Sequence, residues 1–190
     1  MIASFTKKCA GLKGLAISAH LMLMAHASAS QAYSVDAGDI ILKPTVGAAV
    51  NVLRLDVATR ESPLGAMVMG LDADYSFTGD WNVTGMLRPG FSPSFVDTTL
   101  GLGVKYRLVQ LEAPYIPYAS AMLIGSVGGP LRFGAPHVNA GMRMAVGMDY
   151  FVMRNLAVGL EAAGDTSILA WPLLWVEAST EVLLGVSWRF

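Results

Sequence analysis

Acid–base chemistry near neutral pH most often uses histidine, and this chain contains three, His20, His26 and His137. The first two lie in an N-terminal segment that is predicted to be removed, as argued below. His137 follows Ala135-Pro136 in a stretch without regular alternation, and Asn139 stands two residues after it. Because no serine or carboxylate stands at catalytic spacing from His137, the favoured interpretation is a solvated loop histidine, and no catalytic residue is assigned.

Other reactive groups are equally sparse. Cys9 is the only cysteine, and no His, Cys and Asp residues stand at metal-ligand spacing. No glycine-rich phosphate-binding loop precedes a helical pattern, and no run of Lys and Arg suggests nucleic-acid binding. The sequence therefore predicts no metal site, no cofactor and no nucleic-acid partner.

The beginning of the chain has the layout of a secretory signal peptide, with a basic head, a short apolar stretch and a run of small residues. The apolar part, residues 14–25, is too short for a membrane-spanning helix. We predict cleavage after Ala32, with Ala29 as the alternative, so that residues 1–32 form the signal and residues 33–190 the mature domain. Cleavage removes Lys7, Lys8 and Lys13, which leaves ten basic residues against fourteen acidic ones, a net charge of −4.

The composition indicates a membrane protein made of strands. Hydrophobic residues make up 54% of the chain and charged residues 14%, whereas roughly a quarter of a soluble domain is charged. In the predicted mature domain, the one long uncharged run, Ala113–Leu131, contains Pro114, Pro117 and Pro130, which makes it a poor helix. Because helices and closed barrels are the architectures that span lipid, the alternating hydrophobicity elsewhere favours a barrel.

Eight segments of suitable length can be counted. The clearest, Asn139–Val152, places Met142, Met144, Val146, Met148 and Tyr150 on one face. The other segments are Lys43–Leu55, Gly65–Phe77, Trp81–Gly90, Thr98–Gln110, Tyr115–Val127, Asn155–Ser167 and Val176–Phe190. We therefore predict an all-β fold, an eight-stranded antiparallel up-and-down transmembrane β-barrel, whose last strand closes on the first.

The opposite faces of these segments carry small residues and isolated charges. Small side chains suit the interior of a narrow barrel, where all strands converge. The charges predicted to lie inside are Asp72, Asp74, Lys105, Arg107, Arg143, Asp149, Glu161, Glu181 and Arg189. Four basic and five acidic groups can largely pair with one another, so a structural network is favoured over a conducting path.

Connections and aromatic residues give a second pattern. Short turns at residues 78–80, 111–114 and 153–154 alternate with longer loops at residues 56–64, 91–97, 128–138 and 169–175, as in outer-membrane barrels. Aromatic residues gather at both ends, as membrane belts do. Those at the turn end are Tyr75, Trp81, Tyr106, Tyr115, Tyr118, Tyr150, Trp188 and Phe190, and those at the loop end are Phe91, Phe95, Phe133, Trp171 and Trp175.

The last six residues carry a resemblance to a known family. The chain ends in Gly185-Val186-Ser187-Trp188-Arg189-Phe190. Together with the signal and the eight segments, this resembles the small eight-stranded outer-membrane barrels of Gram-negative bacteria, of the OmpA, OmpX and OmpW type. Gly185, Trp188 and Phe190 match the family's assembly signal, although Leu183 stands where a polar residue is usual. The resemblance implies an outer-membrane location, contact with outer-membrane lipid and lipopolysaccharide, and recognition by periplasmic chaperones and the barrel-assembly machinery.

Three functions follow as hypotheses. The first is a structural or surface-interaction role without enzymatic activity. The second is a narrow channel for small or hydrophobic solutes, as in OmpW, with the apolar stretch Ile168–Trp175 helping the solute to enter. The favoured interpretation of this stretch is contact with lipid. The third is a lipid A-modifying enzyme using His137, but lipid A deacylase barrels carry a serine two residues from the histidine, where this chain has Asn139. The sequence indicates no ligand and no oligomeric state.

Overall fold

A computed structural model describes residues 35–55, 65–93, 95–109, 114–130, 136–171 and 175–190. The predicted signal peptide and both candidate cleavage sites lie outside these residues. Within them, no helix has the length and apolarity needed to cross a membrane.

Eight strands, each paired antiparallel with its neighbours, form a closed barrel in simple sequence order. They are β1 (Ile40–Leu55), β2 (Gly65–Ser76), β3 (Trp81–Ser92), β4 (Phe95–Arg107), β5 (Tyr115–Pro130), β6 (His137–Met153), β7 (Leu156–Trp171) and β8 (Trp175–Arg189). The predicted fold class is thus confirmed, and every strand overlaps the segment predicted for it.

The barrel closes where β8 meets β1, as the sequence predicted. Their ladder runs from Ile41 opposite Arg189 to Leu55 opposite Val176. Beyond its end, the backbone N–H of Phe190 donates to the carbonyl of Ile40 at 2.9 Å, and that of Ile40 donates back at 3.2 Å. The terminal residue therefore forms the last rung of the closing ladder.

Each strand has one inward and one outward face because successive side chains point to opposite sides of a sheet. In β6, the buried positions Asn139, Arg143, Ala145 and Asp149 alternate with exposed apolar ones. In β8, Val182, Leu184 and Trp188 are exposed while Glu181, Leu183 and Ser187 are buried. The alternation in the sequence therefore gives the correct faces for both strands.

The predicted contrast between long loops and short turns is wrong in part, because the strands extend further at the loop end. Only residues 93 and 94 separate β3 from β4, where a loop over residues 91–97 was predicted. β5 reaches Pro130, so the glycines and proline that suggested a loop adopt extended backbone at the rim. The turn end differs as well, since residues 108–114 separate β4 from β5.

The apolar stretch Ile168–Trp175 is also not the loop that was predicted. Residues 168–171 are the end of β7, Trp175 is the first residue of β8, and residues 172–174 lie outside the described part. Ile168 points outward and is half exposed. Branched and aromatic residues favour extended backbone, and here they continue the ladder between the two strands.

The segment before β1 seals the turn end of the barrel. Gly38 adopts a φ of 97°, a left-handed conformation that favours glycine, and its N–H donates to the carbonyl of Ser76 at 2.7 Å. This turn carries Val35 back beneath the barrel, where it is buried. The cluster there consists of Val35, Ile41, Ile116, Phe151 and Ala157. The interior therefore ends in an apolar plug on this side.

Deletion of Phe190 is expected to impair assembly, because it removes the two backbone hydrogen bonds to Ile40 and leaves those groups without partners in an apolar environment. The folded fraction, read from the faster migration of unheated protein on SDS gels, should fall severalfold. Phe91→Ala removes an exposed aromatic side chain without breaking the ladder and should assemble normally. Equal folded yields for the deletion and the parent would contradict this assignment.

Candidate functional site

Within the described part of the chain, the buried charged side chains are concentrated in the barrel interior. Eleven inward ionised side chains form ion pairs there, five basic groups facing six acidic ones. They are Lys43, Arg88, Lys105, Arg107 and Arg143 against Asp72, Asp74, Asp149, Glu161, Asp165 and Glu181. Alternation along the strands brings them inside, since each stands between outward-facing neighbours.

Two arginines and Glu161 form the centre of this network. The Arg88 guanidinium lies 3.1 Å from Glu161, and the Arg143 guanidinium lies 3.0 Å from the same carboxylate oxygen. Both arginines also contact Glu181, at 2.9 and 2.7 Å. Because these residues come from β3, β6, β7 and β8, three of the four pairs cross-link strands that are not neighbours in the sheet.

Each of these two arginines also contacts an aspartate on a neighbouring strand. Arg88 donates to Asp72 on β2 at 3.0 Å, and Arg143 contacts Asp165 on β7 at 2.8 Å. Arg88 and Arg143 thus each contact at least three carboxylates. A guanidinium suits this position because its fixed fork of N–H donors can satisfy several carboxylates at once.

Nearer the turn end, a second group of pairs is joined to the first by a tyrosine. Lys43 lies 2.8 Å from Asp149, and Asp74 accepts from both Lys105, at 2.7 Å, and Arg107. The Tyr118 hydroxyl accepts a hydrogen bond from Lys43 at 2.8 Å. It donates one to Glu161 at 2.9 Å.

The Tyr118 ring adds to this connection. The ammonium groups of Lys43 and Lys105 lie 4.8 and 4.9 Å from its centroid, within the range of a cation–π contact. Sequence reasoning placed Tyr118 in the turn-end aromatic belt, and this is wrong: it is buried in the interior. It belongs to the same face as Ser120 and Met122, so strict alternation along β5 would have found it.

Sequence reasoning also missed three charges, Lys43, Arg88 and Asp165. Lys43 and Arg88 each stand beside a proline in strands whose alternation is weak, and Asp165 follows Gly164 in a run of small residues. Counting by twos from Asn82 through Thr84 and Met86 does reach Arg88, which was therefore within reach of the sequence. Of the charges predicted inside, eight lie in the network.

The ninth, Arg189, lies elsewhere. Its guanidinium is at the turn-end rim, 3.6 Å from Asp39 in the segment that precedes β1. Its side chain points inward, opposite the buried Ile41, and is 10% exposed, so it lies inside at the rim and not among the central charges. The Asp39 contact instead ties the plug segment to the last strand.

The aromatic belts are described mainly at the turn end. Tyr75, Trp81 and Tyr150 are exposed there, and the rings of Trp81 and Tyr106 pack with centroids 4.9 Å apart. Trp171 and Trp175 belong to strand ends whose side chains lie outside the described part, so their place in a loop-end belt stays a prediction. Phe91 is exposed at the loop end.

The described inward side chains nearest the loop end are polar, in contrast to the apolar cluster at the turn end, and include Asp97, Thr99, Ser126 and Asn139. His137 was predicted to lie in a solvated loop, but it is the first residue of β6 and is buried. The described residues contain no group of three or more His, Cys, Asp or Glu side chains arranged to hold a metal ion.

Comparison with solved structures establishes the fold. The barrel is similar to Neisserial surface protein A, with a TM-score of 0.62 and 17% identity over 80% of this chain and 97% of that one. It is similar to OprG of Pseudomonas aeruginosa, with a TM-score of 0.59 and 11% identity over 84% of this chain and 99% of that one. No family model and no curated protein matches the chain.

A third similar structure is the N-terminal β-barrel domain of OprF from Pseudomonas aeruginosa, with a TM-score of 0.54 and 15% identity. The match covers 80% of this chain and 97% of that domain. The predicted resemblance to small eight-stranded outer-membrane barrels is therefore confirmed at the level of the fold.

Glu161→Gln is expected to destabilise the barrel. It removes the carboxylate charge shared by Arg88 and Arg143, and breaking a buried pair on one side typically costs about 3 kcal/mol of unfolding free energy. Urea unfolding in detergent micelles, followed by tryptophan fluorescence, measures the change. Arg154→Gln, in the exposed turn between β6 and β7, should leave stability unaltered. Equal losses in the two variants would contradict a structural role for the network.

Gly147→Ala tests the position of Tyr118. A Cβ at this inward glycine would come within 2.4 Å of the Tyr118 hydroxyl oxygen and 2.7 Å of the Leu160 carbonyl oxygen, so the Tyr118 ring and the backbone of β7 must both shift. We expect a loss of about 2 kcal/mol in the same unfolding measurement, as is typical for overpacking. Gly164→Ala is the matched control, because an added Cβ there meets nothing within 4 Å. A Gly147→Ala barrel as stable as the control would rule out the tyrosine link.

Proposed function

We propose that this chain is an integral protein of the bacterial outer membrane, with a filled interior and a structural or surface-interaction role. One observation carries the proposal. Every strand presents exposed apolar side chains outward, while the interior contains a network of paired charges. This arrangement inverts that of a soluble protein, whose charges face water and whose apolar residues fill the core.

The outward face supports insertion into lipid. Large hydrophobic side chains from all eight strands are about half exposed, and several exceed 60%, such as Leu102, Leu123 and Met144 at 66, 69 and 65%. A continuous apolar surface of this kind would cause association in water. A bilayer covers it, and Tyr75, Trp81 and Tyr150 at the turn end suit the boundary between lipid and water.

The segment before β1 and the end of β8 support an orientation. Both the segment at Val35 and the terminal Phe190 lie at the turn end, as expected if that end faces the periplasm and the loop end faces the exterior. Gly185, Trp188 and Phe190 supply the assembly signal on this proposal. The partners would be outer-membrane lipid and lipopolysaccharide, with periplasmic chaperones and the barrel-assembly machinery acting during biogenesis.

The interior supports a structural rather than a conducting role. The central charges contact one another directly across the barrel, and the apolar cluster around Val35 and Phe151 lies beneath them at the turn end. Eight strands leave room for little beyond the side chains themselves. A role at the cell surface also agrees with the name of one similar structure, Neisserial surface protein A.

The purified barrel, reconstituted in planar bilayers in molar KCl, is expected to show no steady unit conductance, because ion pairs and the plug occupy its interior. Its insertion is verified in parallel by flotation of the same protein with lipid vesicles. Steady openings of uniform size would favour the alternative, a narrow channel for small or hydrophobic solutes. Failure to float with vesicles would refute the membrane assignment itself.

A further inference from the structure

A groove of about 710 Å³ runs across the outer wall of the barrel, a volume in the range of small-molecule sites. Its floor consists of small outward-facing residues, Ala119 and Ala121 on β5 and Ala162 and Gly164 on β7. A Cβ added at Gly164 would meet nothing within 4 Å, so the space continues there. The wall is therefore indented within an outward face that is otherwise rich in large hydrophobic side chains.

The strand pairing gives the direction of this groove. Its two ends, Trp81 and Val182, belong to one continuous row of ladder partners that crosses six strands. The row is Trp81, Tyr106, Ala119, Val146, Ala162 and Val182. Trp81 is the first residue of β3, at the turn end, whereas Val182 is the middle residue of β8. The groove therefore rises obliquely from the turn-end rim to the middle of the barrel wall.

The height that the groove spans matches one leaflet of a bilayer. Five steps between neighbouring strands, at about 4.8 Å each, make the row about 24 Å long. Because the strands of membrane barrels tilt by about 40°, a row of this length rises by about 15 Å. The hydrocarbon core of a bilayer is about 30 Å thick, so one leaflet contributes about 15 Å of it. A groove with this rise connects the lipid–water boundary with the middle of the bilayer.

The two ends of the groove differ in chemistry. The turn-end part lies in the aromatic belt, where the rings of Trp81 and Tyr106 pack with centroids 4.9 Å apart. Their indole N–H and phenol hydroxyl are polar tips, which suit the level of lipid headgroups. The mid-barrel part is formed mainly by Ala162, Gly164 and Val182. The polar and apolar parts therefore follow one another in the same order as in a membrane lipid.

We propose that this groove binds one acyl chain of a glycerophospholipid, with the headgroup beside Trp81 and Tyr106 and the methyl end near Val182. The proposal rests on the proposed insertion of the barrel into a bilayer. The row crosses five of the eight intervals between strands, so the groove winds round more than half of the barrel. A flexible chain can follow such a path. A second copy of this protein is itself a convex barrel, which would touch only a narrow face of the wall and leave most of the groove empty.

Photo-cross-linking in phosphatidylethanolamine vesicles tests the path of the chain. One probe lipid carries a diazirine near the carboxyl end of its acyl chain and a second probe carries it near the methyl end. Mass spectrometry of the digested protein identifies the labelled residues. The first probe should label mainly β3 and β4 around Trp81 and Tyr106, and the second mainly β7 and β8 around Ala162 and Val182. Even labelling of all eight strands by each probe would overturn the proposal, because unspecific contact with lipid gives that result.

Ala162→Leu fills the floor of the groove with a larger side chain. With the methyl-end probe, the excess labelling of β7 and β8 over β1 and β2 should fall severalfold, because the leucine occupies the space of the chain. Ala73→Leu is the matched control, since Ala73 is an exposed outward alanine on β2, away from the groove. Its labelling should equal that of the parent. An undiminished excess in Ala162→Leu would contradict the proposal.

Two further results separate the possible failures. A dimer of the parent, detected by chemical cross-linking in the same vesicles and lost in Ala162→Leu, would identify a second copy of the protein as the occupant and overturn the proposal. A parent that floats with the vesicles but is labelled evenly would refute the acyl-chain site alone. A parent that does not float would refute the proposed membrane insertion together with the site.

Discussion

A sheet in hydrocarbon has no water to satisfy its backbone N–H and C=O groups, so it must close on itself. Here the closure of β8 on β1, extended to the very last residue, removes both free edges. Closure with eight strands then fixes a narrow interior, in which side chains from all sides meet. The position of each residue along its strand decides whether it meets lipid or that interior, so a shift of one residue would exchange the two faces.

The charged interior is a consequence of this geometry. An ionised group cannot stand alone in a narrow barrel, and it is tolerated only with partners and further hydrogen bonds. Arg88 and Arg143 meet this condition by sharing Glu161 and Glu181, and Tyr118 connects them to Lys43. The network therefore ties distant strands together where a soluble protein would use an apolar core. Asp97, near the rim, differs from them in accepting a hydrogen bond from the Thr99 hydroxyl.

Much of this could be predicted from the sequence, because period-two alternation is a local property. It gave the strand count and the faces of β6 and β8, and it placed Asp74, Lys105 and Glu161 inside. The alternation failed as a guide where residue type or a neighbouring proline indicated a different placement. Tyr118 resembles a belt residue by its type and by its distance from the turn. At Arg88, the neighbouring Pro89 obscures the alternation in the sequence. The strand ends at Pro130 and Trp171 depend on pairing with a neighbouring strand, which no local pattern reports.

The central claim is that the outward faces meet lipid while the inward faces do not. Site-directed spin labelling tests it directly, because the predicted mature chain has no cysteine and single cysteines can be placed at each position from Val182 to Trp188. In lipid vesicles, collision with oxygen should be high at positions 182, 184, 186 and 188 and low at 183, 185 and 187. A water-soluble nickel chelate should not reach the labels at 182 and 184, which lie at mid-strand, away from the aromatic belt at the turn end. Strong quenching by the chelate at 182 and 184, without alternation, would contradict the account.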